Sequence, residues 1–319
     1  MSTATAIVSA TKVAMRDALG EALVELGKSN EKLVVLDADV SSSTRTGKFG
    51  AAYPERFFNV GVAEANMADV AAGLATAGYR PVISTFALFL ALKATDQIRN
   101  VICYNKLPVV IVGGYAGLSD SFDGASHQAI TDLAVMRALP NMRVVVPADG
   151  EGLKAALADA LEHDGPTYIR ACRNPTPVLE TTQQFKVGEG RLLRDGTDCT
   201  VVAAGVPVSM ALEAAETLED DGTSVRVVEL HTLKPVDHKL LAACARETGA
   251  LVVAEEHNIY GGLGGAVAES LSRSVPAPME YVGVEDRFTE SGPYDLLLKK
   301  YRISSEVIAE KVREVIKRK

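Results

Sequence analysis

The side chains best placed to do chemistry begin with one carboxylate. Glu64 lies in Asn59-Val-Gly-Val-Ala-Glu-Ala-Asn-Met67, where a β-branched run, a glycine turn and the start of a small-residue helix follow one another. In open parallel α/β sheets such strand-to-helix junctions face the crevice where ligands bind. Alone, an acid in a first helical turn contributes only roughly a few tenths of a kcal/mol by facing the positive helix end. Phe86 and Phe89 stand three residues apart in a chain with eight phenylalanines and no tryptophan. That spacing puts them on one helix face, either as core or as a platform for a flat heteroaromatic ring. His127, one of five histidines, ends the polar run Asp123-Gly-Ala-Ser-His and could shuttle a proton. Arg170 and Arg173 could hold a phosphate or carboxylate bidentately, or simply pair with surface acids. Gly261-Gly-Leu-Gly-Gly265 lacks both dinucleotide-fingerprint spacing and the Gly-Lys-Ser/Thr ending of a P-loop. A close-packed turn is the simpler reading.

These residues must be positioned by a regular framework. Apolar residues at helical spacing predict a helix over 12–26 with Gly27 as its stop. The all-apolar run 33–36 predicts a strand covered on both faces. Strands are then expected at 57–60, 81–86, 108–113, 143–146 and 166–170, and helices at 63–77, 88–103, 129–139 and 149–162. Strands alternating with helices imply a mostly parallel sheet with helices on both faces. Asp39, Glu64, Phe86, Phe89, Asp123, His127 and Arg173 all follow predicted strands, so this fold would gather them at one sheet edge.

From Ala171 the chain carries Pro175, Pro177 and no periodic apolar face, which reads as a linker. A second α/β set follows, with strands at 200–204, 225–229, 251–254 and 281–284. Its helices are expected near 208–218, 237–247, 264–271 and 305–317. The expected architecture is therefore α/β: two doubly wound, mostly parallel-sheet domains, at 1–172 and 188–319, joined by a linker at 173–187.

Composition narrows the function. The 319 residues are 47% hydrophobic and 23% charged, which is ordinary for a globular chain. A net charge of −8 without a basic stripe speaks against nucleic acid. The longest apolar stretch, near 81–92, is too short and too interrupted to span a membrane. Four cysteines without Cys-x-x-Cys spacing give neither a zinc site nor a disulfide framework. With no signal-peptide pattern, the cytoplasm is the expected location.

Taken in order, Gly-Val-Ala-Glu-Ala-Asn-Met, Ser84-Thr-Phe-Ala-Leu-Phe89, Asp-Gly-Ala-Ser-His-Gln, Met136-Arg-Ala-Leu-Pro-Asn-Met142 and Val146-Pro-Ala-Asp149 closely resemble transketolases. The resemblance covers their pyrimidine-binding and C-terminal domains, from about Ala6 to the end. The Gly-Asp-Gly…Asn motif that binds diphosphate and metal in thiamine diphosphate enzymes does not occur in this sequence. The chain thus resembles the C-terminal (β) subunit of a split transketolase. That implies an N-terminal (α) partner bringing the motif, with Mg²⁺ or Ca²⁺, in an α2β2 assembly. No metal ligand is expected in this chain itself.

The resemblance implies thiamine diphosphate as cofactor and assigns roles. Glu64 would hydrogen-bond N1′ of the aminopyrimidine, and Phe86 and Phe89 would hold its ring. Leu92 takes the place of a third aromatic, giving an apolar wall, and Asp39 would lie close to the cofactor at the subunit junction. Asp123 and His127 would contact sugar hydroxyls and carbonyl. Ser43 and Arg173 would hold phosphate at the channel mouth, with Arg170 as a second candidate. One loop departs from the pattern: Tyr115 stands where many transketolases have a phosphate-binding histidine, and Phe122 replaces a glutamate. Tyr115 keeps a hydrogen-bonding group but carries no positive charge at neutral pH, so an altered substrate or a different grip on its far end is expected. The implied activity is transfer of a two-carbon ketol unit from a ketose to an aldose. Related alternatives are the β subunit of a 2-oxo acid dehydrogenase, a 1-deoxyxylulose 5-phosphate synthase-like half, or a non-catalytic partner of the same fold. The C-terminal domain, without an evident catalytic residue, is expected to serve assembly.

Overall fold

Hydrophobic runs of five residues or fewer, all buried, form the centres of two sheets in the computed structural model, which describes residues 6–319. Among the described residues there are fourteen strands: β1 (Ile7–Ala14), β2 (Leu33–Asp37), β3 (Phe57–Asn59), β4 (Arg80–Phe86), β5 (Val110–Gly114), β6 (Arg143–Val145), β7 (Thr167–Arg170), β8 (Pro175–Glu180), β9 (Arg191–Arg194), β10 (Cys199–Ala203), β11 (Val225–Glu229), β12 (Thr232–Lys234), β13 (Leu251–Asn258) and β14 (Met279–Val284). The first sheet has the order β12-β6-β7-β5-β4-β2-β3 and is parallel except for β12. The second has the order β14-β13-β10-β11-β9 and is parallel except for β9.

Side-chain alternation along the strands divides the first domain's core in two. Leu33, Val35, Val82, Val110 and Val112 face the helices Met15–Ser29 and Gly150–Glu162. Val34, Leu36, Ile83 and Ile111 face the opposite layer, where the small-residue helix Glu64–Thr76 packs through Ala68, Ala71 and Ala72. This second core continues into the other sheet through Val202, Leu230, Leu251 and Val253. The doubly wound α/β architecture expected of the sequence is therefore present, with a shared core between its halves.

Several elements differ from expectation. The segment 173–187 is not wholly irregular, because β8 pairs antiparallel with β1. The first helix begins at Met15 rather than residue 12, since Lys12, Val13 and Ala14 are spent on that ribbon. β12, only three residues long, leaves the C-terminal half and closes the first sheet against β6. The stretch 88–103 breaks into Ala87–Lys93, a short turn at Thr95–Gln97 and a π-helical segment Ile98–Cys103. Among the described residues no helix is long and apolar enough to cross a membrane.

Candidate active site

The carboxyl edge of the first sheet carries the candidate residues. After β3, Gly61 takes a left-handed φ of 73° and turns the chain so that Ala63 donates its N–H back to the Gly61 carbonyl at 2.7 Å. Glu64 then opens the helix and is 5% exposed. Its Oε1 lies 3.1 Å from Nζ of Lys93. Lys93 sits at i+4 from Phe89, and its ammonium lies 4.0 Å from the Phe89 ring centroid. The carboxylate is thereby brought to the aromatic pair from a segment 29 residues away. Sequence reasoning missed Lys93; the i,i+4 spacing from Phe89 was its only local signal.

The aromatic pair is part of a larger cluster. Phe86 and Phe89 stack with centroids 5.6 Å apart, and Tyr115 stacks on Phe86 at 4.4 Å. His127 meets Phe89 edge-on at 5.1 Å, and Ser126 Oγ lies 2.9 Å from its Nδ1. Tyr115, at the end of β5, takes a φ of 57° that turns its ring back onto Phe86. Its hydroxyl accepts from Nη1 of Arg16 at 3.0 Å, and the Arg173 guanidinium stands over its ring at 5.0 Å. Arg16, another residue the sequence did not single out, and Arg173 both line a cavity of about 410 Å³ together with Ser121, Phe122 and Tyr294. Tyr115 is therefore flanked by two arginines, one at its hydroxyl and one over its ring.

Asp120 lies behind this cavity, wholly buried, with Nη1 of Arg173 at 3.8 Å. Burial, reinforced by the neighbouring Asp123 carboxyl, pushes Asp120 up to about 7, with Arg173 opposing. Asp123 itself is exposed on the same loop. Asp39 ends the run after β2 with a φ of 67°, and its Oδ1 accepts from Asn59 at 2.9 Å. The loop that carries Asp39 and half-buried Ser43 is organised by buried Asp37, whose carboxylate accepts from Val40 N–H, Thr44 and Thr46. Burial raises the Asp37 pKa against those hydrogen bonds. No hydrogen bond joins Asp39 or Ser43 to the aromatic cluster.

Two candidates are placed elsewhere. Arg170 is 6% exposed and is consumed by Asp132, with Nε–Oδ2 at 2.8 Å and Nη2–Oδ1 at 3.1 Å, and by the carbonyls of Ala129 and Glu256. Nε and Nη2 are thereby engaged within the chain, and Arg170 does not line the cavity shared by Arg16 and Arg173. Leu92 is 59% exposed and shares a face with Leu88, at i−4, lining a separate cleft of about 450 Å³ with Phe288. It is not part of the Phe86–Phe89 cluster. The glycine-rich loop 261–265 is likewise accounted for: Glu255 accepts from Leu263 N–H at 2.7 Å and Gly264 N–H at 2.8 Å, so the chain's own carboxylate occupies that helix start.

Residues 11–178 match the family model of the transketolase pyrimidine-binding domain, and residues 188–308 match that of the transketolase C-terminal domain. The chain belongs to the transketolase family. A putative transketolase C-terminal section from Methanocaldococcus jannaschii is 44% identical, aligned over 95% of this chain and 96% of its own length. The 6-deoxy-6-sulfo-D-fructose transketolase subunit of Clostridium sp. is 38% identical over 96% of this chain and 95% of its own. A 1-deoxy-D-xylulose-5-phosphate synthase of Carboxydothermus hydrogenoformans is 34% identical over 97% of this chain, which spans only 50% of that enzyme. Among solved structures, a split-gene transketolase described as an inactive β4 tetramer superposes with a TM-score of 0.89 at 49% identity, covering 96% of this chain and 99% of that one. As a family member the chain has a pyrimidine-binding domain, and thiamine diphosphate dependence is the family's property.

Proposed function

We propose that this transketolase-family chain is the C-terminal subunit of a split, thiamine diphosphate-dependent transketolase that moves a two-carbon ketol unit from a ketose to an aldose acceptor. One observation carries the reading: a buried carboxylate, Glu64, tied through Lys93 to a stack of Phe86, Phe89 and Tyr115 with His127 at its edge. A flat aminopyrimidine needs an apolar platform and an acid beside its ring nitrogen, and those two features fit. When bound, the cofactor supplies a stabilised carbanion at its thiazolium carbon. On the protein side, Glu64 holds a proton at N1′, Phe86 and Phe89 orient the ring, and Asp39 stands near it at the junction with the partner. Asp123 and His127 hold the sugar's hydroxyls and carbonyl, while Ser43 and Arg173 grip its distal end. His127 is the group that moves a proton at the sugar oxygen. In this reading residues 1–172 and 188–319 are the two domains. The diphosphate and its divalent metal are held by an N-terminal subunit bearing Gly-Asp-Gly…Asn, in an α2β2 enzyme.

Tyr115 and Phe122 separate this chain from transketolases specialised for pentose phosphates, so the ketose is one whose far end suits Tyr115, Arg16 and Arg173. A 1-deoxyxylulose 5-phosphate synthase-like or 2-oxo acid dehydrogenase-like reaction is the second reading, in view of the 34% identical synthase. The deciding experiment is isothermal titration of thiamine diphosphate and Mg²⁺ into this chain, with and without the N-terminal partner, followed by a ketose panel. Tight binding only with the partner, then ketol transfer from a ketose, is the expected result. Tight binding by this chain alone overturns the split-site reading. Activity only with pyruvate favours the second, and no binding at all points to a non-catalytic subunit.

A further inference from the structure

The loop 115–131 holds Tyr115 on the aromatic stack and carries Asp123 and His127, yet much of its support comes from the other half of the chain. Glu256, near the end of β13, is 3% exposed. Its Oε1 accepts from Leu118 N–H at 2.6 Å, and its Oε2 accepts from the Tyr294 hydroxyl at 2.8 Å. Leu118 is fully buried, so without Glu256 this N–H would have no water to turn to. Gly117 adopts a φ of 61°, and a Cβ there would lie 2.4 Å from Glu256 Oε1, so the loop is shaped around this carboxylate.

Other contacts from the C-terminal half fasten the same loop. Gly292 N–H donates to Ser121 at 3.0 Å, Asn258 N–H donates to Ile130 at 2.9 Å, and Thr289 and the Glu290 carbonyl hold the Gln128 amide. An assembly role alone gives no reason to bury a carboxylate, whose desolvation is costly. Burial pushes Glu256 up to about 7, with Arg170, Tyr294 and Leu118 opposing.

We propose that Glu256 is a positioning residue for the substrate loop, so that the C-terminal domain sets the placement of Asp123 and His127. The kinetic part of this inference rests on the ketol-transfer reading; the structural part does not. The test compares Glu256→Ala and Glu256→Gln in the full chain. In the chain alone, amide exchange at residues 118–128 should quicken about tenfold or more in Glu256→Ala, as expected for losing a hydrogen bond to a charged group. Exchange in β10 and β11 should stay unchanged, and Glu256→Gln, which keeps an acceptor, should show a smaller effect. In the assembled enzyme, Glu256→Ala should raise the ketose KM by about tenfold and leave thiamine diphosphate affinity within about twofold. Unchanged loop exchange in Glu256→Ala overturns the proposal, and so does faster exchange spread evenly over both sheets. An equal loss of cofactor affinity and ketose KM also overturns it. If no ketol transfer is found with wild-type chain, the exchange result still decides whether Glu256 holds the loop.

Discussion

Glu64 and Lys93 show how a candidate site residue is held in place at small cost. The carboxylate is buried, but its partner Lys93 is 48% exposed and can be re-solvated when the pair is broken. Such half-exposed pairs contribute about 0–1 kcal/mol. Glu64→Gln should therefore leave the melting temperature nearly unchanged and, under the proposed ketol-transfer function, lower kcat by about 10²–10⁴, the usual worth of a positioned proton-transfer group; thermal denaturation and turnover on the same samples check both halves. Asp120 has the opposite balance. With its carboxyl pushed up to about 7 against an ordinary 3.8, the folded chain holds a proton there that the unfolded chain has lost between those pH values. Stability should then rise as the pH falls from about 8 through 7 and level off near 4. Asp120→Asn should melt higher than wild type at pH 8, with the gap closing by about pH 5. Part of the slope should persist, because Glu256 is raised to about 7 as well.

At the scale of elements, the loop 115–131 and the strand β7 that backs it depend on the Arg170–Asp132 pair. Asp132 is fully buried and, although burial would raise it, the adjacent Arg170 guanidinium and hydrogen bonds hold it below the usual carboxylate range. Arg170→Ala leaves this charge uncompensated and should destabilise the chain by about 3–5 kcal/mol, measured by denaturant unfolding. The pair's contribution is fully present above the ordinary carboxylate value of 3.8 and is lost as the pH falls further. The elements themselves were legible where periodicity was strong: β2, β4, β11 and the helices near 64–76, 150–162 and 305–316 lie within a few residues of their sequence-based positions. β8, β9 and β12 were not, because antiparallel edge strands of three to six residues leave no pattern that distinguishes them from loop.

Across the whole molecule the two halves share more than a linker. One hydrophobic cluster runs from Val34 and Ile83 to Val253 and Val267, and β12 crosses from the second half to extend the first sheet. Lys234, on β12, adds a donor to the carbonyls of Arg137 and Leu139 at the end of the helix Asp132–Ala138. A chain cut after residue 187 loses β12, the Glu256 clamp and the cover for one face of the first sheet. Such a fragment should lack cooperative unfolding and bind a hydrophobic dye, whereas the full chain should show one transition by far-UV circular dichroism.

By itself the sequence determined the family, the α/β architecture and the residues gathered at one sheet edge. Those properties rest on local pattern: periodic burial, turn-forming glycines and short motifs whose order along the chain survives unfolding. Tertiary structure alone decided that Lys93 answers Glu64, that Tyr115 joins the aromatic stack, and that Arg170 is spent on Asp132. It also decided that Glu256 ties down the loop 115–131 from the other half of the chain. Each of these is a contact between residues 29 to 138 positions apart, and side-chain pairing over such distances is set by packing of whole elements rather than by any pattern within them.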